Sequence, residues 1–255
     1  MISHGAGASL TAQALGYNAA VTITHGFDRS SARRKARRVH TLLLKAYGEP
    51  IWRNPLPPVD ELVSTILSQN TNDVNRDRAF EALRARLPTW EAVRDAPAAV
   101  VMDAIRPAGL ANQKGPRLQQ VLRQITEERG ALNLDFLADL PVDEARAWLT
   151  RFKGVGPKTA AIVLLFSLGR PAFPVDTHVH RVTGRLGLRP EPMSADDCHP
   201  YFEGLLPPES YYAAHLNLIR HGREVCHARK PECERCVLQG LCDYYQAGHG
   251  GGEPG

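Results

Sequence analysis

The chain has 255 residues, 43% of them hydrophobic and 23% charged, so it holds enough apolar sequence for one large or two modest domains. Its formal net charge of +4 permits an anionic partner without requiring one. The longest apolar run, near residues 160–168, is far shorter than the roughly 20 residues of a membrane span, which excludes a transmembrane segment and predicts no membrane partner.

The two ends of the chain differ in composition from the rest. Residues 1–28 are rich in Ala, Gly, Ser and Thr and carry neither a signal-peptide nor a transit-peptide pattern. Residues 245–255 are rich in glycine. Because neither segment has enough periodic apolar residues to bury a face, we expect both to be mobile. With no export signal, a cytoplasmic location is expected, associated with the nucleoid if the source is bacterial.

Between these ends, apolar residues recur at helical spacing, and no segment alternates convincingly as a strand does. Gly48, Thr89 and Gly130 stand where helix caps are expected. We therefore predict an all-α protein. The clearest periodic sets are Val39, Leu42, Leu43 and Ala46; Leu62, Val63, Ile66 and Leu67; and Leu118, Val121, Leu122 and Ile125.

The basic run Arg33–Arg38 lies in the first helical segment. It can contact phosphates, but such runs are more often the solvated face of a helix, and we favour that interpretation.

Residues 152–164, FKGVGPKTAAIVL, predict two helices joined by a tight turn. Gly154 and Gly156 allow positive φ and close backbone approach, and Pro157 suits the first helical position. The turn can therefore direct free amide groups at a phosphate. An ordinary helix connection has the same composition, so the turn alone discriminates little.

Lys158 stands at the positive end of a helix that is otherwise almost entirely apolar. Partial burial there should lower the pKa of its amine and provide neutral nucleophile at physiological pH. This makes Lys158 the candidate nucleophile. A phosphate-contacting or surface lysine is the alternative.

Asp176 precedes another helical pattern, in PVDTHVHR. It can cap that helix, and it can also stabilise positive charge at a sugar carbon or help deprotonate Lys158. The neighbouring His178 and His180 can contact phosphate or pair with the carboxylate, but histidines near a helix start usually have structural roles.

Four of the five cysteines, Cys226, Cys233, Cys236 and Cys242, lie within 17 residues and are separated by six, two and five residues. Disulfides are rare in the reducing compartment expected here, so a metal site is favoured. Zinc and a [4Fe–4S] cluster both suit four thiolates. Cys198 lies apart and is expected to be an inert thiol.

The motifs KGVGPKTA and VDTH and the cysteine quartet, in this order, resemble the endonuclease III family of helix–hairpin–helix DNA glycosylases. The match covers roughly residues 29–244. HGREVCHARKPECERCVLQGLCDY is similar to the cluster loop of that family, which favours [4Fe–4S] over zinc. The resemblance implies that Lys158 is the Schiff-base lysine and Asp176 the catalytic aspartate.

The resemblance also implies DNA contacts. In ILSQNTNDV, Asn70 matches the residue that fills the gap left by an extruded base, with Gln69 as a neighbouring candidate. In AGLANQKG, Leu110 matches the leucine that wedges into the opposite side of the duplex, although ordinary packing is the alternative for this residue.

Further predicted DNA contacts are Lys153, Gly154, Val155, Gly156, His178, Arg229 and Lys230. Three residues depart from the family: Lys153 for proline, Ala111 for an aromatic, and Asn70 for glutamine.

The implied fold is two-lobed, with DNA in the cleft. Residues 59–170, including the hairpin 152–164, form a helical barrel lobe. Residues 29–58 and 171–244, including the loop 226–242, form a [4Fe–4S] cluster lobe.

The implied activity is that of a bifunctional DNA glycosylase and abasic-site lyase. It would remove oxidised pyrimidines and cut the strand by β-elimination, acting as a monomer on double-stranded DNA that carries a damaged base or an abasic site. The alternatives are a monofunctional glycosylase, a DNA-binding cluster protein with little turnover, and a cluster-based redox sensor.

Overall fold

A computed structural model describes residues 28–51 and 55–249. Within these ranges the regular structure is entirely helical, which confirms the all-α prediction. The predicted extension up to residue 27 and the tail from residue 250 lie outside the described residues. The α-helices are α1 Arg29–Tyr47, α2 Pro58–Ser68, α3 Asp73–Arg86, α4 Trp90–Asp95, α5 Ala98–Ala104, α6 Ala111–Arg129, α7 Val142–Thr150, α8 Pro157–Ile162, α9 Thr177–Arg185, α10 Ala195–Glu203 and α11 Tyr211–Glu224.

Local sequence signals set several helix ends. The side chain of Asp28 accepts the N–H of Ser30 and caps α1, so the last residue of the predicted extension belongs to the fold. Thr89 caps α4 through the N–H of Ala92, and Gly130, at φ 73°, ends α6. The helix signals predicted at Thr89 and Gly130 are therefore confirmed.

The buried apolar residues form two separate cores. The first core is built from α2 to α8 and includes Leu62, Leu118 and Leu122. The second combines α1 with α9 to α11. The chain passes between the cores gradually: Leu164 and Ala172 pack in the first core, whereas Leu165 and Phe173 pack in the second. This stretch spans the boundary predicted at residue 170.

Two ion pairs join the lobes at different points. Arg146 of α7 contacts Glu203 of α10 at 2.5 Å, and both side chains are largely buried. Asp73, at the start of α3, contacts Arg223 of α11 at 3.0 Å, and both are about half exposed. Because a buried pair is screened less than an exposed one, the Arg146–Glu203 pair is the firmer link.

The surface features follow from which side of each helix faces a core. Most side chains of the basic run Arg33–Arg38 are exposed, whereas Ala36 is buried, as expected for a solvated helix face. Tyr245–His249, at the start of the predicted mobile tail, form a π-helical turn. Among the described helices, none is both long and apolar enough to cross a membrane.

Candidate active site

The hairpin turn between α7 and α8 depends on one glycine. Gly154 has φ 87°, and a Cβ atom added there would lie 2.2 Å from the Cδ of Arg117. Gly156 has φ −91° and open space around it, so its backbone is extended and not left-handed. Of the two glycines predicted to allow positive φ, only Gly154 adopts it.

The amides of the turn are not equally free. Val155 donates its N–H to the carbonyl of Phe152 at 2.9 Å, and its side chain is buried in the first core. Neither its N–H nor its side chain can therefore reach a phosphate, which corrects the contact predicted for Val155. The N–H groups of Gly154 and Gly156 have no acceptor within the described part of the chain. The neighbouring Lys153 is exposed.

Lys158 lies in the first turn of α8 and is partly buried. Burial lowers the pKa of its amine, as predicted from the sequence, because the charged form loses hydration. The carboxylates of Asp176 and Asp73 oppose this and raise the pKa, while Arg76 lowers it. The amine thus lies among charges from both lobes.

Asp176 is the N-cap of α9. Its Oδ1 accepts the N–H of Val179 at 2.7 Å, so the predicted capping role is confirmed. The neighbouring histidines contact other groups: His178 Nδ1 lies 3.1 Å from Arg181 Nη2, and His180 Nε2 lies 2.9 Å from the carbonyl of Met193. Among the described residues, neither histidine side chain is hydrogen-bonded to the Asp176 carboxylate; His180 donates only its backbone N–H, to the carbonyl of Asp176 at 2.8 Å.

Besides Asp73 and Arg76, two further titratable residues near Lys158, Glu61 and His215, were not predicted from the sequence. Glu61 of α2 lies near enough to feel the charge of Lys158, and burial raises the pKa of its carboxyl group. His215 of α11 is buried with its Nδ1 2.9 Å from the carbonyl of Pro174, and burial lowers its pKa to about 4. His215 is therefore neutral at physiological pH. No local motif marks either residue, because each approaches the lysine only through helix packing.

The α2–α3 loop contains the two residues predicted to fill a gap in DNA. Asn70 is exposed and has φ 53°, a left-handed conformation that asparagine tolerates. Gln69 turns back into the protein: its Nε2 donates to the carbonyl of Gly154 at 2.9 Å, and its Oε1 accepts from Arg117 Nη1 at 3.3 Å. The structure thus separates the two candidates: within residues 28–51 and 55–249, the Asn70 side chain has no hydrogen-bond partner, whereas that of Gln69 has two.

The predicted wedge residue Leu110 precedes α6 in the left-handed conformation, with φ 50°. Its side chain is 48% exposed, so the alternative of ordinary core packing is wrong. A non-glycine residue in this conformation carries strain of roughly 1–2 kcal/mol. An apolar side chain is therefore presented to solvent on a strained turn.

Lys114 ties these two loops together. Its side chain is fully buried, and its Nζ donates to the carbonyls of Leu67, at the end of α2, and Ala108, just before the wedge turn, both at 2.8 Å. It thereby satisfies two backbone acceptors at the loop bases. The sequence contained a usable signal, because Lys114 falls on the same helix face as the buried Leu118 and Val121.

The cysteine quartet lines a single cavity that opens between α9 and the loop 226–242. Arg185 donates to Cys226 Sγ at 3.2 Å, and His221 Nε2 lies 3.5 Å from Cys236 Sγ. Two predicted DNA contacts in the same loop, Arg229 and Lys230, have exposed side chains. The four ligands predicted from their spacing therefore meet at one place.

The cysteines fit a centre that is held by four thiolates. The four side chains line one cavity in the described part of the chain. Burial raises the pKa of the Cys236 thiol to about 11, and the charges of the other three cysteines contribute to this rise. Thiols lose their protons when they bind iron, so four cysteines around one cavity match the ligand set of a [4Fe–4S] cluster.

Comparison with protein-family models gives two matches. Residues 63–208 match the HhH-GPD superfamily of base excision DNA repair proteins. Residues 226–242 match the iron–sulfur binding domain of endonuclease III. The two matched segments contain the hairpin with Lys158 and the cysteine loop, respectively.

Individual proteins and solved structures that are similar to the chain point to the same family as the family models. The chain is 36% identical over 186 residues to endonuclease III of Sulfolobus acidocaldarius, covering 72% of this chain and 81% of that protein. An Arabidopsis thaliana relative is 37% identical over 172 residues, 68% of this chain, and the chain spans only 59% of its length. A solved non-covalent endonuclease III–DNA complex superimposes with a TM-score of 0.73 at 26% identity, covering 85% of this chain and 98% of that one. A trapped covalent endonuclease III–DNA intermediate superimposes equally well.

Proposed function

Because the chain belongs to the endonuclease III family of helix–hairpin–helix DNA glycosylases, with an iron–sulfur cluster domain, we propose that it is bifunctional. In this proposal it removes an oxidised pyrimidine and then cuts the abasic strand through a Schiff base on Lys158. The observation that carries the proposal is the partly buried Lys158 amine, whose pKa is lowered by burial and which lies within the electrostatic influence of the Asp176 carboxylate.

The first step is attack by the neutral Lys158 amine on the sugar C1′. The N–C1′ bond forms as the glycosidic bond breaks, and the damaged base leaves with the bonding electron pair and takes up a proton. Burial supports this step because it increases the fraction of Lys158 that is neutral at physiological pH. The negative charge of Asp176 stabilises the positive charge that develops at C1′.

The second step opens the sugar and cuts the strand. The amine nitrogen loses a proton, the C1′–O4′ bond breaks, O4′ is protonated, and a C1′=N Schiff base forms. Loss of a proton from C2′ then drives elimination of the 3′ phosphate. Asp176 is the proposed proton carrier, since its carboxylate acts on Lys158 more strongly than any other charge. Water finally hydrolyses the imine and frees the lysine.

DNA binding is proposed to involve both loops and the hairpin. The free N–H groups of Gly154 and Gly156 and the exposed Lys153 suit phosphate oxygens. Asn70 and Leu110 would occupy the stack vacated by the extruded nucleotide, which offsets part of the few kcal/mol that extrusion costs. Arg229, Lys230 and His178 would contribute further backbone contacts.

Cys226, Cys233, Cys236 and Cys242 hold the [4Fe–4S] cluster. When bound, it supplies thiolate–iron bonds that fix the fold of the loop 226–242. The proposed chemistry at Lys158 uses only protein groups and water, so we expect activity without magnesium.

The proposal is tested by borohydride trapping on duplexes that carry thymine glycol, an abasic site or no damage, in the presence of EDTA. Wild-type protein should form covalent adducts with both damaged duplexes and none with the undamaged one. Lys158→Ala should form none. Lys45→Ala is the matched control, because it removes an exposed lysine of α1 that has no proposed DNA contact, and it should retain trapping.

The other outcomes separate the alternatives. Base release that requires alkali to cut the strand would identify a monofunctional glycosylase. Binding of the abasic duplex without product under single-turnover conditions, by protein with its full iron content, would identify a DNA-binding protein. Trapping confined to the abasic duplex would support the lyase step and contradict oxidised pyrimidines as the substrate.

A further inference from the structure

The side chain of Gln69 uses both ends of its amide inside the protein. Its Nε2 lies 2.9 Å from the carbonyl of Gly154 in the hairpin turn, and its Oε1 lies 3.3 Å from Nη1 of Arg117 on α6. Three segments distant in sequence therefore meet at one residue. These are the α2–α3 loop, the hairpin and helix α6.

Only one orientation of this amide satisfies both partners. A carbonyl can only accept a hydrogen bond and a guanidinium can only donate, so the NH₂ group must face Gly154 and the oxygen must face Arg117. Gln69 thus makes two complementary contacts at fixed positions. A shorter side chain cannot span them, and an apolar one leaves both partners without this bond.

Arg117 is held against the same turn by shape. The left-handed Gly154 lies so close to the Arg117 side chain that an added Cβ would be 2.2 Å from its Cδ and 2.7 Å from its Nε. The glycine thus makes room for the guanidinium that bonds Gln69. We use the name Gln69 latch for the three residues Gln69, Gly154 and Arg117.

The latch joins the residue beside Asn70 to the turn that precedes Lys158. Asn70 is exposed at φ 53°, so its direction depends on how the preceding residue is anchored. The hairpin helix begins at Pro157, and Lys158 is its second residue. The backbone beside Asn70 is therefore anchored, through Gln69 and Gly154, to the turn that leads into the helix of Lys158.

We propose that Gln69 and Arg117 are positioning residues. They hold the loop of Asn70 at a set position relative to Lys158, so that insertion of Asn70 into the DNA stack places the sugar of the extruded nucleotide next to the amine. The inference rests on the proposed function and extends it, because it assigns Gln69 to contacts within the protein and not to direct contact with DNA. The latch should matter only when the DNA has a stack to fill. A single-stranded abasic oligonucleotide has none.

The experiment compares single-turnover trapping on an abasic duplex and on a single-stranded abasic oligonucleotide. Gln69→Met, which keeps the length of the side chain but loses both hydrogen bonds, should slow trapping on the duplex by about tenfold, the effect of one lost hydrogen bond of typical strength. Trapping on the single strand should be unchanged. Gln120→Met, at an exposed position on α6, is the matched control and should behave as wild type on both.

A second measurement reports directly on base stacking in the DNA around the abasic site. With 2-aminopurine opposite the abasic site, Asn70→Ala and Gln69→Met should both reduce the fluorescence change on binding. Combining Gln69→Met with Arg117→Lys should cost little more than the larger single effect, because both break one latch.

Equal slowing of Gln69→Met on duplex and single strand, or no slowing on either, would overturn the latch. Strictly additive effects of the Gln69 and Arg117 changes would also overturn it. If wild-type protein forms no adduct on any substrate, the lyase proposal fails, but the aminopurine signal still decides whether Gln69 controls insertion of the loop.

Discussion

The carboxylate of Asp176 raises the pKa of Lys158 more than any other charge, although burial lowers that pKa overall. The two residues come from different helix starts, α8 and α9, and the same carboxylate caps α9 through Val179. Asp176 therefore has a structural contact and an electrostatic one, which two substitutions can separate.

Asp176→Asn keeps an oxygen acceptor for the cap and removes the charge. Since the charge raises the pKa of Lys158, its loss lowers that pKa further. In wild type, the single-turnover lyase rate should rise with pH at values below 10.5, the ordinary pKa of lysine. In Asp176→Asn, we expect this rise to move to lower pH. The plateau should fall by about 100-fold as proton transfer is lost.

Asp176→Ala, in contrast, should also lose about 1 kcal/mol of unfolding free energy, because the cap is gone. Urea unfolding of both variants provides the control. If Asp176→Asn moves the limb to higher pH, the assignment of the charge is wrong.

Leu110→Gly should separate stability from activity. Glycine relieves the strain of the left-handed turn at φ 50°, and the lost side chain is nearly half exposed. We expect an unfolding free energy that is unchanged or higher by up to about 1 kcal/mol, together with slower base excision on duplex DNA. Leu110→Met keeps an apolar side chain and should retain most of the rate. A marked loss of stability in Leu110→Gly would mean that the leucine packs after all.

Lys114→Met should destabilise the fold and both loops together. The substitution leaves the carbonyls of Leu67 and Ala108 without their buried donor, at a cost of about 1–3 kcal/mol for each. Urea unfolding and duplex binding should both weaken. Lys45→Met, at an exposed lysine of α1, should change neither. Full stability with intact binding in Lys114→Met would show that the buried ammonium is dispensable.

Loss of the cluster should depend on the quartet and not on Cys198. Cys233→Ser removes one of the four ligands that line the cavity, and should lower bound iron and the visible cluster absorbance. Cys198→Ala is the control, because Cys198 is fully buried in the second core with its pKa raised to about 11. Iron loss in Cys198→Ala alone, with Cys233→Ser unaffected, would contradict the assigned ligand set.

Local sequence signals were enough to predict the helical class, because apolar spacing and capping residues such as Thr89 and Gly130 act within about one helical turn. They also predicted that the four cysteines belong to one site, which the shared cavity supports, and that Lys158 stands at a helix start. These signals are local, and a single stretch of chain carries each of them.

Tertiary structure alone decided which residues surround Lys158. Glu61, Asp73 and His215 come from three different helices, and packing of the two lobes brings these side chains into the surroundings of the lysine. It also decided between Gln69 and Asn70, because the partner of Gln69 lies 85 residues away in the hairpin. Adjacent residues with similar amides look alike in sequence, and only the long-range contact shows which side chain is free.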